Sequence, residues 1–241
     1  MSAHITPKIV AHRGFSGQYP EMSRLAFQKA LELPGLFGVE CDVRLTLDNR
    51  LVLTHDPTML RTAGSPLRVE SSTYQELSKL NISTAPYPPQ RIMLLEELID
   101  LVLATDKHLF IETKQPLCAR RKVDIYLVDL LQQRGLDQCD RIHIISFSHA
   151  ALRRIRARVP DLDTYYLRHE WERWFDSSRL GLSQPKGLGL SILGAKLRPD
   201  YIVPPSYVFT VNEVEDLIWC RDHKVTIIAT DFPPRAMTAV D

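Results

Sequence analysis

The chain has 241 residues, 44% of them apolar and 24% charged, which suits one barrel-sized soluble domain or two small ones. A formal net charge of +1 speaks against a nucleic-acid or anionic-membrane partner. No apolar run approaches the roughly 20 residues of a membrane-spanning helix, and the opening MSAHITPKIV has no apolar signal region.

Strand-like and helix-like patterns alternate from end to end. Lys8-Ile9-Val10-Ala11 is a short β run, and His12-Arg13-Gly14 follows it directly. A helix is expected over 21–33, opened by Pro20-Glu21 and closed by Pro34-Gly35. The second strand is expected over 36–45. Within it Glu40 and Asp42 stand two apart, so both carboxylates face one side while Val39, Cys41 and Val43 face the other. Two adjacent carboxylates repel each other. A divalent cation removes that cost, and hard ions such as Mg²⁺ or Ca²⁺ prefer oxygen ligands. Asp48-Asn49 carries the turn chemistry of a hairpin, whose second arm, Leu51-Val52-Leu53, delivers His55 and Asp56.

Residues 57–91 are the least regular part, with Ser65-Pro66 and Pro86-Tyr87-Pro88-Pro89 arguing against long elements. A short helix is expected over 74–79, with Thr73 as its cap and Glu76 completing a capping box. An amphipathic helix over 94–105 leads to a third strand over 107–113, which puts Glu112 and Lys114 on one face. Further helices are expected over 123–134, ended by Gly135, and over 149–159, with a strand over 141–146 between them and another over 162–167. Arg153, Arg154, Arg156 and Arg158 read as the solvated face of their helix. A short helix over 170–179 carries Trp171 and Trp174. A sixth strand is expected over 188–193 and a seventh over 207–211. The stretch between them, with Pro199, Pro204 and Pro205, is too short for a normal crossover helix. A helix over 213–222 and an eighth strand over 225–229 close the pattern, followed by Thr230-Asp231 and Pro233-Pro234.

His-Arg-Gly, then Pro-Glu, then Glu40-Cys41-Asp42, then His55-Asp56-Pro57-Thr58 with Arg61-Thr62, resembles the glycerophosphodiester phosphodiesterase family in order and spacing. Glu112 and Lys114 resemble the family's E-x-K element. Phe209-Thr210-Val211-Asn212 resembles its WTVN strand, with Phe in place of Trp, and the closing Thr-Asp resembles its TD-x-P. One departure is Met22-Ser23, where the family has Asn-Thr after Pro-Glu. The resemblance implies a single (β/α)₈ TIM barrel with a short insertion at 57–91. The stretch near 194–206 departs from the family, which has a full helix there: either the crossover is abbreviated or the sixth strand lies elsewhere.

The resemblance also implies a metal-dependent hydrolysis of glycerophosphodiesters to glycerol 3-phosphate and an alcohol. His12 and His55 are then the acid–base pair, a role that suits an imidazole with its ordinary pKa near 6.5. Glu40, Asp42 and Glu112 are the ligands of Mg²⁺ or Ca²⁺. Arg13 and Lys114 are the expected phosphate ligands. Glu21 either orients a neighbouring side chain or acts as a helix N-terminal acid. Phe209 and one of Trp171 or Trp174 wall the alcohol side. The partner is thus a small-molecule diester. A lysophospholipase D-type activity and a non-catalytic diester-binding protein are the alternatives. Cys41, Cys118, Cys139 and Cys220 show no CxxC or metal spacing, so reduced, mostly buried thiols in a cytoplasmic protein are expected.

Overall fold

The computed structural model describes residues 6–114, 122–170, 172 and 183–241. Eight parallel strands close into a barrel: β1 (Lys8–His12), β2 (Gly38–Leu45), β4 (His108–Thr113), β5 (Ile142–Ser146), β6 (Asp163–Leu167), β7 (Gly187–Ser191), β8 (Ser206–Phe209) and β9 (Ile227–Thr230). β1 pairs with both β9 and β2, which completes the ring. β3 (Leu51–Leu53) lies outside it, antiparallel to the last residues of β2.

Period-two alternation decides what the barrel holds. Ile9, Ala11, Val39, Cys41, Val43, Leu109 and Ile111 point outward, into the core shared with the helices. Val10, Phe110, Ile145, Tyr165, Tyr207 and Ala229 point inward and fill the barrel. On β2 and β4 the inward set continues as Glu40, Asp42 and Glu112. The carboxylates therefore sit one layer above an aromatic floor, at the carboxyl ends of the strands. Beneath that floor His108 Nδ1 meets His143 Nε2 at 2.9 Å, His143 stacks on Phe110, and Asp163 lies 3.3 Å from His143.

The helices between the strands are α1 (Arg24–Leu31), α2 (Leu60–Ala63), α3 (Tyr74–Leu77), α4 (Leu95–Leu103), α5 (Lys122–Gln133), α6 (His149–Arg158), α7 (Ile192–Leu197), α8 (Val214–Asp222) and α9 (Pro233–Val240). α1 begins three residues later than expected. Ser23 caps it by accepting from Ala26 N, and Met22 before it has φ +57°. Glu21 therefore stands ahead of the helix in a turn and is no helix-terminal acid. α3 carries the expected capping box of Thr73 and Glu76.

The insertion at 57–91 is more than a surface connection. Met59, Val69, Leu77 and Ile82 pack with Val52 and Ile92 into a small core of their own. The sixth strand of the ring ends at Ser191, two residues earlier than expected. Ser191 then caps a six-residue α7 that the proline spacing had argued against, followed by a 3₁₀ turn at Pro199–Tyr201. The prolines act only after the helix has ended. Of the α6 arginines, Arg153 and Arg158 are exposed as expected, whereas Arg154 and Arg156 are half-buried. Arg154 and Arg158 bind Asp124 and Asp129 of α5, and Arg156 donates to the Ser183 carbonyl. The helix expected over 170–179, with Trp171 and Trp174, lies almost entirely outside the described residues, as does Cys118. No described helix is long and apolar enough to cross a membrane.

Candidate active site

The hollow above the aromatic floor is built from the ends of several strands. Strand register places His12 beside Glu40 and Asp42 beside Glu112. One oxygen from each of Glu40, Asp42 and Glu112 lies within 4.8 Å of the others, the one such cluster among the described residues. All three are buried. Glu40 Oε1 has no hydrogen-bond partner, and its other oxygen accepts from Arg13 N at 3.1 Å. A buried, partnerless carboxylate oxygen within an oxygen-only donor set fits a hard divalent cation.

The charges around the three acids are uneven. Asp42 has Lys114 Nζ at 2.8 Å and Arg13 Nε at 3.1 Å. Burial pushes its pKa up, but these two cations outweigh burial and hold it below the usual carboxylate range. Glu40 has no such side-chain cation in contact. Burial, then Asp42 and Glu112, pushes it well above the ordinary value. Glu112 has Lys114 Nζ at 2.5 Å, yet burial and Asp42 still drive it up to about 7. Lys114 therefore bridges two acids, and Arg13 spans Asp42 and, at 3.3 Å, Glu21.

His12 ends β1, where the chain turns sharply. Arg13 and Gly14 both have positive φ, and a side chain at Gly14 would strike the backbone of Ala26 in α1 at 2.8 Å. That tight turn presses the His-Arg-Gly segment onto the helix. Nε2 of His12 lies 3.9 Å from Glu40 Oε2, and Nδ1 lies 2.8 Å from Asp231 Oδ1.

His55 arrives by another route. The β2–β3 hairpin turns at Asn49, whose φ is +61°, and brings the chain back over β2. Thr54 N donates to the Asp42 carbonyl at 3.1 Å, and Arg44 Nε and Nη2 donate to the His55 carbonyl at 2.9 and 2.7 Å. His55 Nδ1 lies 2.8 Å from Asp56 Oδ1. Burial lowers the His55 pKa, and the Lys114 charge lowers it further, against the pull of Asp42 and the Asp56 hydrogen bond. His55 thus shares one electrostatic neighbourhood with the acid cluster.

Arg61, from the insertion, joins this system. Its guanidinium donates to Asp56 Oδ2 at 2.6 Å and to both oxygens of Glu21 at 2.7 and 2.8 Å. Glu21 is therefore part of an ion-pair chain from Arg13 to Asp56. Phe209, at the end of β8, is half-buried on the same side and meets Phe147 edge-on at 5.8 Å.

His12, His55, Glu40, Asp42, Glu112, Arg13, Lys114, Glu21 and Phe209 all stand at the carboxyl ends of the strands. Sequence reasoning passed over Arg44, Arg61, Asn212 and Asp231. Asn212 and Asp231 lay inside the matched motifs at 209–212 and 230–231, and Arg61 inside the segment that follows His55. Among the described residues Cys41, Cys139 and Cys220 are free thiols, two of them buried.

The model of the glycerophosphoryl diester phosphodiesterase family matches residues 12–178. A Mycobacterium tuberculosis protein named "Probable glycerophosphodiester phosphodiesterase 1" is 33% identical, over 95% of this chain and 90% of its own length. A Bacillus altitudinis glycerophosphodiester phosphodiesterase is 30% identical, over 95% of this chain and 96% of its own. In fold, the chain resembles an Oleispira antarctica phosphodiesterase solved in complex with the product sn-glycerol-3-phosphate. Their TM-score is 0.84 at 23% identity, covering 98% of this chain and 97% of that one. The barrel, the buried acids and these likenesses agree: the chain belongs to the glycerophosphoryl diester phosphodiesterase family of enzymes.

Proposed function

We propose that this protein hydrolyses glycerophosphodiesters to glycerol 3-phosphate and an alcohol in the hollow bounded by Glu40, Asp42 and Glu112. The observation that carries this reading is the meeting of three buried carboxylates with two aspartate-paired imidazoles at one mouth of the barrel. The product bound to the Oleispira neighbour supports the same substrate class.

Glu40, Asp42 and Glu112 would hold a divalent cation, Mg²⁺ or Ca²⁺. Such an ion polarises phosphoryl oxygens and neutralises developing negative charge. Arg13 and Lys114 now neutralise Asp42 and Glu112. With a phosphodiester in place, the same guanidinium and ammonium face its oxygens. Glu21 orients Arg13 through their ion pair. His12 and His55 move the protons: one imidazole takes the proton of the attacking hydroxyl, the other protonates the leaving alcohol oxygen. The attacking group is water or the substrate's own glycerol hydroxyl. Phe209 walls the alcohol side. The free thiols and the near-zero net charge support a cytoplasmic enzyme acting on a small diester.

The test is hydrolysis of glycerophosphocholine with added Mg²⁺ or Ca²⁺. Activity is expected to vanish with a chelator and in His12→Ala and His55→Ala. Full turnover in metal-stripped protein refutes the ion's role. Phosphorus NMR of the reaction separates direct hydrolysis from passage through a cyclic phosphate.

A further inference from the structure

The strand ends at 209–212 and 230–231 supply two polar residues to which the proposed mechanism gives no task, Asn212 and Asp231. We infer that Asp231 is a positioning residue: it fixes the His12 proton on Nδ1 and presents a bare Nε2 to the acid-lined hollow. This deepens the phosphodiesterase reading of the same site and rests on it.

The hydrogen bonds leave little freedom. Asp231 Oδ1 lies 2.8 Å from His12 Nδ1. A carboxylate only accepts, so Nδ1 must carry the hydrogen, and in a neutral ring Nε2 then carries the lone pair. That nitrogen is the one 3.9 Å from Glu40 Oε2. The carboxylate is itself clamped. Asn212 Nδ2 donates to Oδ2 at 2.7 Å, and Ser16 Oγ, at 2.9 Å from Oδ1, shares its one hydrogen between that oxygen and the His12 carbonyl at 2.7 Å. The Asn212 amide cannot flip without loss, because its Oδ1 accepts from Asp231 N at 2.9 Å and Thr230 Oγ1 at 3.1 Å. Burial pushes the Asp231 pKa up, but the bonds from His12, Asn212 and Ser16 prevail and hold it at about 2. Asp231 is therefore a fixed anion.

The second couple is built differently. Asp56 accepts from His55 but also pairs with Arg61 at 2.6 Å, so its charge is shared with a guanidinium. Asp231 is held by neutral donors and directs its charge at one ring. Of the two imidazoles only His12 has an acceptor of this kind, and the clamp spans β1, β8 and β9, three strands whose mutual positions the barrel fixes.

Asp231→Asn tests the inference, because its shape is nearly unchanged while its amide donates where the carboxylate accepted. The hydrogen is expected to move to Nε2. The readout is ¹⁵N NMR of the His12 imidazole at a pH where the ring is neutral, with glycerophosphocholine kinetics in parallel. Wild type should show the Nδ1–H form and Asp231→Asn the Nε2–H form. The melting temperature should be preserved, KM should stay within about threefold, and kcat should fall by roughly 10²–10⁴-fold. Asn212→Ala, which loosens the clamp, should give a mixture of tautomers and a smaller fall. The same tautomer in wild type and Asp231→Asn, or a kcat within threefold, overturns the inference. Should Asp231→Asn not fold, an unchanged tautomer in Asn212→Ala overturns it. If wild type hydrolyses no glycerophosphodiester, the functional reading fails, and the tautomer comparison still decides the role of Asp231.

Discussion

Glu40 and Asp42 point into the same hollow from one strand, yet they live under opposite electrostatics. Asp42 is flanked by Lys114 and Arg13, whereas Glu40 has an orphaned oxygen and two acidic neighbours. Their amide variants should therefore diverge. Glu40→Gln removes a carboxyl whose charged form burial disfavours and retains an acceptor for Arg13 N, so metal-free stability should change little. Asp42→Asn takes away the buried anion that Lys114 and Arg13 share, leaving them only Glu112 and Glu21, and should cost about 3 kcal/mol or more. Urea denaturation of the two metal-free variants checks this, and equal destabilisation would contradict it. Calorimetric titration with Mg²⁺ or Ca²⁺ should show both variants weakened by at least roughly 100-fold, the upper end of what losing even an outer partner of a ligand costs.

The acid cluster also sets a pH dependence. Glu112 stands at about 7 in the fold against an ordinary 4.5. A raised carboxyl pKa means that the folded state holds its proton longer than the unfolded chain does. That stabilisation is complete below 4.5 and is lost as pH rises through about 7, at about 1.4 kcal/mol per pH unit for one proton. The melting temperature of metal-free protein should fall across this window. With saturating Mg²⁺ or Ca²⁺ the fall should disappear, and binding near pH 6.5 should release protons. Scanning calorimetry with and without a chelator, in two buffers of different ionisation heat, measures both effects.

His55 should titrate below 6.5, because burial and the Lys114 charge both disfavour its imidazolium. Lys114→Met removes one of those causes while Asp42 remains, so the His55 midpoint should rise. Proton NMR of the ring resonance, followed from pH 4 to 9, reads the shift directly. A midpoint unmoved by Lys114→Met would separate His55 from the acid cluster.

Arg61 ties the insertion to the hollow by bridging Asp56 and Glu21. It is half exposed, so Arg61→Ala should cost well under 1 kcal/mol of stability. Its effect should appear in turnover, because Asp56 and Glu21 lose a shared partner and the groups they hold gain freedom. A fall in kcat/KM of roughly 10-fold, about 1.4 kcal/mol of transition-state stabilisation, is expected in steady-state assays. Arg61→Lys should recover little of it, since one ammonium cannot replace the fork that grips both oxygens of Glu21.

The legible parts of this molecule were those with short-range causes. Period-two spacing placed Glu40 and Asp42 on one face, and strand pairing then set Glu112 beside Asp42. The Asp48-Asn49 turn predicted the hairpin that returns His55. Other features depend on distance in space. The Asp231–His12 bond joins residues 219 positions apart, and no local pattern reports it. The chain from Arg13 through Glu21 and Arg61 to Asp56 likewise crosses from a turn to an insertion. α7 was missed because the prolines behind it suppress a helical signal that Ser191 restores by capping. The first helix was started too early, at Glu21, because Met22 adopts positive φ and the helix begins only at Arg24, after its cap Ser23.

β3, antiparallel to β2 and outside the ring, carries one more implication. It folds back on β2, so Glu40, Asp42, Arg44, His55 and Asp56 travel together on a single covalent cassette. Re-ordering the chain, for instance by opening it between 80 and 90 and joining its termini, would leave that unit whole. Slipping the hairpin by one residue would instead turn an imidazole out to solvent. A change in the length of either arm would shift His55 relative to the acids of β2.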